Sequence, residues 1–494
     1  MHSHVIPEET FVLDRSQNSS LQAQIREVIV SEVVTGRSPP GARLPSTRKL
    51  AKYLGVSRMT ISLAYQDLVA QGYLETLDRS AYVISQSARI TESARVPRAS
   101  SDGVGGLQTD WGRRLSRSLL KRSRIEKPDN WRSYPFPFVY GQMDMSLFDH
   151  GAWRECASRA HGRRDFQDMA SDVAAADDPM LVQYICSRAL PRRGIAADPE
   201  QILVTVGAQN ALWLAMQLLV SEGFHAVCEN PGYPDTVTAL RWLGGRVTLA
   251  DVDRHGLQTS KLPADTSAVF VTPSHHSPTA VTMPPNRRAE LLALANERDF
   301  VIIEDDYEFE MSFLAAPSPA LKCLDASGRV IYVGSFSKAL FPGLRLGYLV
   351  APEPFIREAR HLRSLILRHP PGHQQRSVAY FLAQGHYDSL IKRMRTAFAE
   401  RREVMTAALE REGIKIAGAA EFGGTSLWIK GPDGLDSAQF ALDLREDGVL
   451  IEPGAPFFHT PGVSTPFFRM AYSSVPLEKI DEGVERIGGR LRAR

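Results

Sequence analysis

One short stretch decides the fold of the C-terminal half: Ser335-Phe336-Ser337-Lys338, continued after a brief apolar step by Pro342-Gly343-Leu344-Arg345. It follows the apolar run 330–333, which predicts a buried strand. A lysine amine placed at the end of a strand can form a Schiff base with an aldehyde, while hydroxyls and a guanidinium fork can hold a phosphate. Pyridoxal 5'-phosphate carries both groups. The stretch therefore predicts a pyridoxal phosphate pocket built around Lys338.

Further residues at strand and helix ends extend this predicted pocket. Gly207-Ala208-Gln209-Asn210 follows a strand and opens a helix, so its backbone N–H groups can face the phosphate. The Asp305 carboxylate can pair with the ring nitrogen, the Tyr307 hydroxyl can reach the ring oxygen, and Tyr233 can stack on the ring. Each residue alone is more often structural, so the prediction rests on their combination. The residues assigned to the cofactor are Ala208, Gln209, Tyr233, Asp305, Tyr307, Ser335, Ser337, Lys338 and Arg345.

Apolar runs of strand length alternate with helical patterns through the middle of the chain. They lie at 202–206, 268–272, 300–303, 330–333 and 346–350, and this alternation predicts an α/β fold with a mainly parallel sheet. Brändén's rule places ligands at the carboxyl ends of such strands. From about residue 351, Arg-rich helical patterns followed by short strands predict a smaller α+β subdomain. The predicted divisions are a DNA-binding domain 1–85, a linker 86–130, a large domain 131–350 and a small domain 351–494.

Composition narrows the class of protein. A length of 494 residues with 43% hydrophobic and 23% charged residues is typical of a globular chain of two or three domains, and the net charge of +2 carries no information about partners. The four cysteines show no metal-binding spacing, which fits a reducing cytoplasm. Neither a signal peptide nor an apolar stretch of roughly 18 residues is evident, so we expect a cytoplasmic protein without a membrane anchor.

The N-terminal part has the pattern of a helix-turn-helix. Ser46 can cap a short helix that ends at Gly55, and Ser57 can cap the next helix, which would enter the major groove of double-stranded DNA. The hairpin predicted at 73–84 supplies a wing. A protein-interaction module of three helices is the alternative interpretation. The candidate DNA contacts are Arg43, Ser46, Arg48, Ser57, Arg58, Thr60 and Arg79. The linker 86–130 carries ten basic and five acidic residues, which suits either a phosphate backbone or a solvated tether.

The segments 40–48 and 54–60 closely resemble the winged helix of GntR-type bacterial repressors, over about the first 85 residues. The remainder resembles fold-type I aminotransferases, and the whole chain is identified as a member of the MocR/GabR subfamily, close to regulators of taurine or ectoine catabolism. The resemblance implies that Lys338 is the Schiff-base lysine and that Arg469 grips the acid group of a small amine effector. It also implies a head-to-tail homodimer.

Several positions depart from the family pattern. Ser277 stands where aminotransferases have an asparagine, and Ala280 replaces their glycine. Asp235 occupies the position of a carboxylate-binding arginine in the GABA-responsive member, which should disfavour a simple ω-amino acid and favour a ligand with another amine or amide. Ala81 stands where the wing usually has glycine, so strain is expected there if φ is positive. A segment rich in Gly and Asp survives only as Asp177-Asp178-Pro179, with Gln183 at a usual arginine.

These observations predict a transcription regulator in which the cofactor at Lys338 serves as a sensor. An amine effector would displace Lys338, form an external aldimine and change the DNA-binding state that controls a catabolic operon. The alternative is a working aminotransferase with an accessory DNA-binding domain. A third possibility is a repressor whose C-terminal half is only a dimerisation scaffold, which would leave the protein colourless.

Overall fold

The computed structural model describes residues 5–16, 19–77, 81–88, 110–119, 124–172, 175–316, 318–418, 421–459 and 464–494. The chain forms two compact units, Met1–Arg117 and Ser118–Arg494. The division falls inside the stretch predicted as a linker. Within the ranges just given, every helix is too short or too polar to cross a bilayer.

The N-terminal unit is a winged helix-turn-helix, as predicted. Its elements are α1 (Leu21–Val34), α2 (Thr47–Leu54), α3 (Arg58–Ala70), β1 (Leu74–Leu77) and β2 (Ala81–Ile84), followed by α4 (Trp111–Arg114). Gly55 ends α2 in the left-handed conformation, φ 63°, which glycine adopts without steric cost. Buried side chains from the three longer helices and the antiparallel hairpin form one small core.

The C-terminal unit alternates strands and helices before a run of long helices. The strands are β3 (Phe136–Pro137), β4 (Ile202–Thr205), β5 (His225–Asn230), β6 (Arg246–Asp253), β7 (Gly256–Leu257), β8 (Ala268–Val271), β9 (Val301–Asp306), β10 (Val330–Ser335), β11 (Gly347–Val350), β12 (Lys415–Ile416), β13 (Ser426–Lys430), β14 (Val449–Leu450), β15 (Glu452–Pro453) and β16 (Phe467–Ala471). The helices are α5 (His150–Ala160), α6 (Arg163–Met169), α7 (Pro179–Tyr184), α8 (Ala208–Leu219), α9 (Pro234–Leu243), α10 (Pro285–Arg298), α11 (Glu353–Leu367), α12 (Gly372–Ala383), α13 (His386–Arg411), α14 (Ser437–Glu446) and α15 (Ile480–Arg492).

An eight-stranded sheet forms the centre of this unit, in the order β4-β11-β10-β9-β8-β5-β6-β7. Five neighbouring strands, β10 to β6 in that order, pair in parallel, while β11 runs antiparallel to both of its neighbours. Strands β4, β8, β10 and β11 are buried along their whole length, because helices cover both faces of the sheet. This architecture confirms the predicted mainly parallel α/β fold.

The small subdomain contains the antiparallel sheet β12-β13-β16-β15 and the helices around it. A separate two-stranded parallel sheet pairs β14 with β3, so that Val449 lies opposite Phe136. This pairing attaches the first residues of the C-terminal unit to the small subdomain, more than 300 residues later in the chain.

Two departures noted in the sequence have structural explanations. Asp177 accepts hydrogen bonds from Arg360 and Arg363 at 2.8 and 2.5 Å, so the surviving acidic segment anchors α11. Ala81 pairs with Leu77 in the hairpin and is not at positive φ; the alanine with positive φ is Ala280, at 57°. The backbone strain therefore lies at Ala280 and not at Ala81, at a cost of about 1 kcal/mol.

Candidate cofactor pocket and DNA-binding surface

A cavity of about 480 Å³ opens at the carboxyl ends of the central strands. It brings together every residue that the sequence assigned to the cofactor or the effector. Its lining comprises Ile125, Lys127, Tyr140, Ala208, Gln209, Leu212, Tyr233, Asp235, Ser277, Asp305, Tyr307, Ser335, Ser337, Lys338, Arg345, Glu452 and Arg469. Sequence reasoning missed Ile125, Lys127, Tyr140, Leu212 and Glu452.

The phosphate end of the cavity, so named for the group that it is predicted to hold, is a turn of closely spaced backbone. Gly207 precedes α8 at φ 79°, and a Cβ there would lie 3.0 Å from the Arg345 Nη2 atom. The Ser335 hydroxyl accepts from the Ser337 N–H at 3.2 Å, and the Ser337 hydroxyl bonds the backbone of Leu346. Two hydroxyls, a helix N-terminus and a guanidinium thus face one space, which suits an anion.

The Asp305 side chain fits the ring nitrogen of the cofactor. Its Oδ1 atom is buried and has no hydrogen-bond partner among the described residues. The pKa of Asp305 is raised to about 7, mainly by burial and also by the charge of Asp306, while Lys338 opposes the rise. A buried carboxylate without a donor is costly, and a protonated pyridine nitrogen would supply the missing donor. The adjacent Asp306 is different, because its Oδ2 atom already pairs with Arg193 at 2.7 Å.

Lys338 lies between the phosphate end and an aromatic ring. Its Nζ atom is 4.2 Å from the centroid of the Tyr140 ring, and a Cβ on Gly141 would come within 2.6 Å of that nitrogen. Burial lowers the pKa of Lys338 to about 8, although the charge of Glu308 acts to raise it. A neutral amine, the form that attacks an aldehyde, is therefore accessible close to neutral pH.

Arg469 also lines the cavity and lies against the Tyr140 ring. Its Nε donates to the Glu452 carboxylate at 2.7 Å, and its Cζ stacks 3.9 Å from the Tyr140 ring and 4.8 Å from the Phe457 ring. Glu452 also accepts from the Tyr140 backbone N–H at 3.1 Å. One side of the guanidinium is thus fixed, and its terminal nitrogens have no hydrogen-bond partner in the part of the chain that the structure describes.

The two tyrosines that the sequence assigned to the cofactor form hydrogen bonds with protein atoms in this structure. The Tyr233 hydroxyl bonds Gln209 at 2.9 Å and Asp235 at 3.3 Å. The Tyr307 hydroxyl donates to the backbone oxygen of His275 at 2.9 Å. Both tyrosines line the cavity. Their contact with the ring of the cofactor stays a prediction.

The helix-turn-helix presents its predicted residues on the surface. Ser57 caps α3 through the Thr60 N–H at 3.1 Å, and Ser46 caps α2 through the Lys49 N–H at 3.3 Å. Arg58 donates to Thr47 at 3.3 Å, across the turn between the helices. Arg43 and Arg48 are exposed. Arg79, at the tip of the predicted wing, lies outside the described residues.

Comparisons with known proteins agree with both halves. A family of bacterial regulatory proteins, the gntR family, matches residues 21–84, and the class I and II aminotransferases match residues 162–487. The HTH-type transcriptional regulator TauR of Rhodobacter capsulatus is 50% identical over 99% of this chain and 100% of its own length. The probable rhizopine catabolism regulatory protein MocR of Rhizobium meliloti is 32% identical over 81% and 79%. The chain belongs to the MocR/GabR-type regulators of the GntR family.

Solved structures similar to this regulator include aminotransferases. A kynurenine aminotransferase from Pyrococcus horikoshii matches with a TM-score of 0.69 and 25% identity, covering 78% of this chain and 98% of that one. The α-aminoadipate aminotransferase LysN from Thermus thermophilus matches with a TM-score of 0.66 and 28% identity, covering 72% and 92%. The regulator therefore combines a GntR DNA-binding domain with an aminotransferase-like domain.

Proposed function

We propose that this regulator binds pyridoxal phosphate at Lys338 and senses a small amine that carries an acid group. The observation that carries the proposal is the shared cavity: Lys338, the unpartnered Asp305 carboxylate and Arg469 all line one space. The Lys338 amine and the Arg469 guanidinium, proposed to meet the amine and the acid group of the effector, both lie against the Tyr140 ring, at 4.2 and 3.9 Å from its centroid.

The residues divide the task between them. The cofactor, when bound, supplies an aldehyde that exchanges one amine for another. Arg469 binds the acid group of the effector, and Glu452 holds that guanidinium in position. Lys338 would hold the cofactor through its amine, and once an effector amine takes that place its Nζ, with a pKa of about 8, could take up a proton. The Asp305 carboxylate would accept a hydrogen bond from the protonated ring nitrogen of the cofactor.

The signal requires two DNA-binding states with different affinities for the effector. We propose that the winged helices bind operator DNA in the bacterial cytoplasm as part of a head-to-tail homodimer, and that effector binding shifts the balance between the states. The residues proposed to contact DNA are Arg43, Ser46, Arg48, Ser57, Arg58, Thr60 and Arg79.

The effector class follows from the charges of the cavity. Asp235 lines it beside Tyr233, and a carboxylate there favours a second amine or amide on the ligand. A diaminobutyrate derivative suits this arrangement, and taurine is supported by the similarity to TauR. The similarity to a probable catabolism regulator supports a catabolic operon as the target.

The test compares the full-length wild type with Lys338→Ala and with Lys415→Ala, an exposed lysine of the small subdomain. We expect pyridoxal phosphate to give the wild type and Lys415→Ala a yellow imine absorbance, and amines to change it. Lys338→Ala should bind DNA but lose both optical signals. An imine absorbance retained by Lys338→Ala would contradict the proposal, and a colourless wild type would favour the scaffold interpretation.

A working aminotransferase is the second candidate, since Lys338, Asp305 and Tyr233 share one cavity in an aminotransferase fold. Ser277, which lines the cavity in place of an asparagine, counts against it. Incubation with an amino donor and a keto acid distinguishes the two. The sensor predicts at most one product per cofactor, and sustained turnover would instead show an enzyme.

A further inference from the structure

The segment that leads into the C-terminal unit contributes to the wall of the cavity. Ile125 and Lys127 line the same space as Lys338 and Arg469, although the sequence placed both in the flexible linker. Arg124 and Glu126 pair with each other at 2.6 Å. The Lys127 ammonium, by contrast, forms no ion pair or hydrogen bond with any residue that the structure describes.

Lys127 is the cation of the cavity that has no assigned task. Arg345 lies against Gly207 at the phosphate end, Lys338 is the Schiff-base amine, and Arg469 is paired with Glu452. Because Glu452 offsets the charge of Arg469, a bound acid group would meet little net positive charge from that pair alone. A second cation that lines the same cavity would compensate for this, and a charged donor strengthens hydrogen bonds to an anion.

The same segment is anchored to the residues that hold Arg469. Trp131, four positions after Lys127, is buried in a small cluster with Val139 and Leu450. Val139 directly precedes Tyr140, whose ring stacks on Arg469, and Leu450 lies two positions before Glu452. Three packed side chains, those of Leu450, Val139 and Trp131, therefore connect the residues around Arg469 with the segment that contains Lys127.

We propose that Lys127 is a second cationic contact for the acid group of the effector, and that this contact holds residues 124–127 against the cavity. The inference rests on the proposed function and specifies how that site is linked to the rest of the chain. Residues 124–127 belong to the connection toward the DNA-binding unit. Holding four residues in place removes up to about 13 Å of free chain from that connection.

The experiment uses full-length protein loaded with pyridoxal phosphate, as wild type, Lys127→Gln and Arg124→Gln. Arg124→Gln is the matched control because it removes the same charge from the same segment at a residue outside the cavity lining. The probes are taurine, β-alanine and diaminobutyrate, with ethylamine as an amine that has no acid group. The readouts are the amine-dependent change in cofactor absorbance and hydrogen–deuterium exchange of residues 124–130.

We expect at least one acid-bearing probe to slow exchange in 124–130 of the wild type and to bind Lys127→Gln about tenfold more weakly. The response to ethylamine and the behaviour of Arg124→Gln should stay unchanged. Equal affinities of wild type and Lys127→Gln for every acid-bearing probe would overturn this inference alone. A weaker hold on pyridoxal phosphate itself in Lys127→Gln would also overturn it, by assigning Lys127 to the cofactor phosphate. If none of the probes changes the cofactor absorbance of the wild type, the proposed sensing function is overturned as well.

Discussion

Two features of the surroundings of the Lys338 amine shift its pKa in opposite directions. Burial lowers its pKa to about 8, and the carboxylate of Glu308 acts in the opposite direction. Glu308 is itself buried and accepts a hydrogen bond from Thr425 at 2.5 Å. The reactivity of the lysine is thus determined by groups that no local motif around residue 338 reveals.

This balance predicts the pH dependence of cofactor capture. Only the neutral amine attacks the aldehyde, so the rate of imine formation in the cofactor-free protein should rise through pH 8 and level off above it. An ordinary lysine, with a pKa of about 10.4, would continue to gain rate beyond pH 10. Glu308→Gln removes a charge that raises the lysine pKa, so the midpoint should move to lower pH.

Stopped-flow absorbance after mixing with pyridoxal phosphate measures this profile, and Glu290→Gln, an exposed change on α10, is the control. A midpoint near pH 10 in the wild type, or one that Glu308→Gln leaves in place, would show that the described surroundings do not govern Lys338.

Two of the missed residues, which contact Arg469, show why a single sequence does not reveal every residue of the cavity. Tyr140 and Glu452 are separated by 312 positions, yet a hydrogen bond joins them. They meet because β3 pairs with β14, and pairing between distant short strands is set by tertiary packing that a single sequence does not display. The residues assigned to the cofactor could be predicted to share one cavity because each follows a strand or opens a helix within a few positions of its own motif.

At the scale of elements, α3 depends on its cap. The Ser57 hydroxyl accepts from the Thr60 N–H and also bonds the Thr60 hydroxyl at 2.8 Å. Ser57→Ala should cost about 1 kcal/mol of local stability, which corresponds to about fivefold faster hydrogen–deuterium exchange in the first turn of α3. Ser62→Ala, inside the same helix, should have little effect or slow exchange slightly, because alanine favours the helix. Equal exchange in Ser57→Ala and wild type would contradict a capping role.

The exposed charge of α2, which we propose contacts DNA, is less uniform than its sequence suggests. Arg48 and Lys49 are both exposed, but Lys49 pairs with Glu8 at 2.7 Å. Arg48→Gln should therefore weaken binding to a random-sequence duplex and reduce the slope of log affinity against log salt by about 1. Lys49→Gln should change both quantities less, since Glu8 already offsets that charge. Fluorescence anisotropy across a salt series measures both variants, and identical slopes would argue against this difference.

Elements were predictable where the signal is local. The serine caps, the glycine turn and the apolar runs fixed the winged helix and the central strands, since each depends on neighbouring residues. The antiparallel direction of β11 was not predicted, because an apolar run such as 346–350 has no direction of its own. The position of Ile125 and Lys127 in the cavity lining was missed for a related reason: a polar, basic composition describes a tether equally well whether or not it lines a cavity.

For the whole molecule, sensing is a coupling free energy between two sites and must be reciprocal. If a saturating amine changes the affinity for operator DNA by tenfold, about 1.4 kcal/mol, saturating operator DNA must change the affinity for that amine by the same factor. The amine titration is followed through cofactor absorbance with and without operator, and the operator titration through anisotropy with and without amine. A fully coupled regulator gives equal factors in the two directions. If saturating operator leaves the amine titration unaltered, ligand binding to the aminotransferase-like unit is not coupled to DNA binding by the winged helix. That result would favour the enzymatic or the scaffold alternative over the sensor.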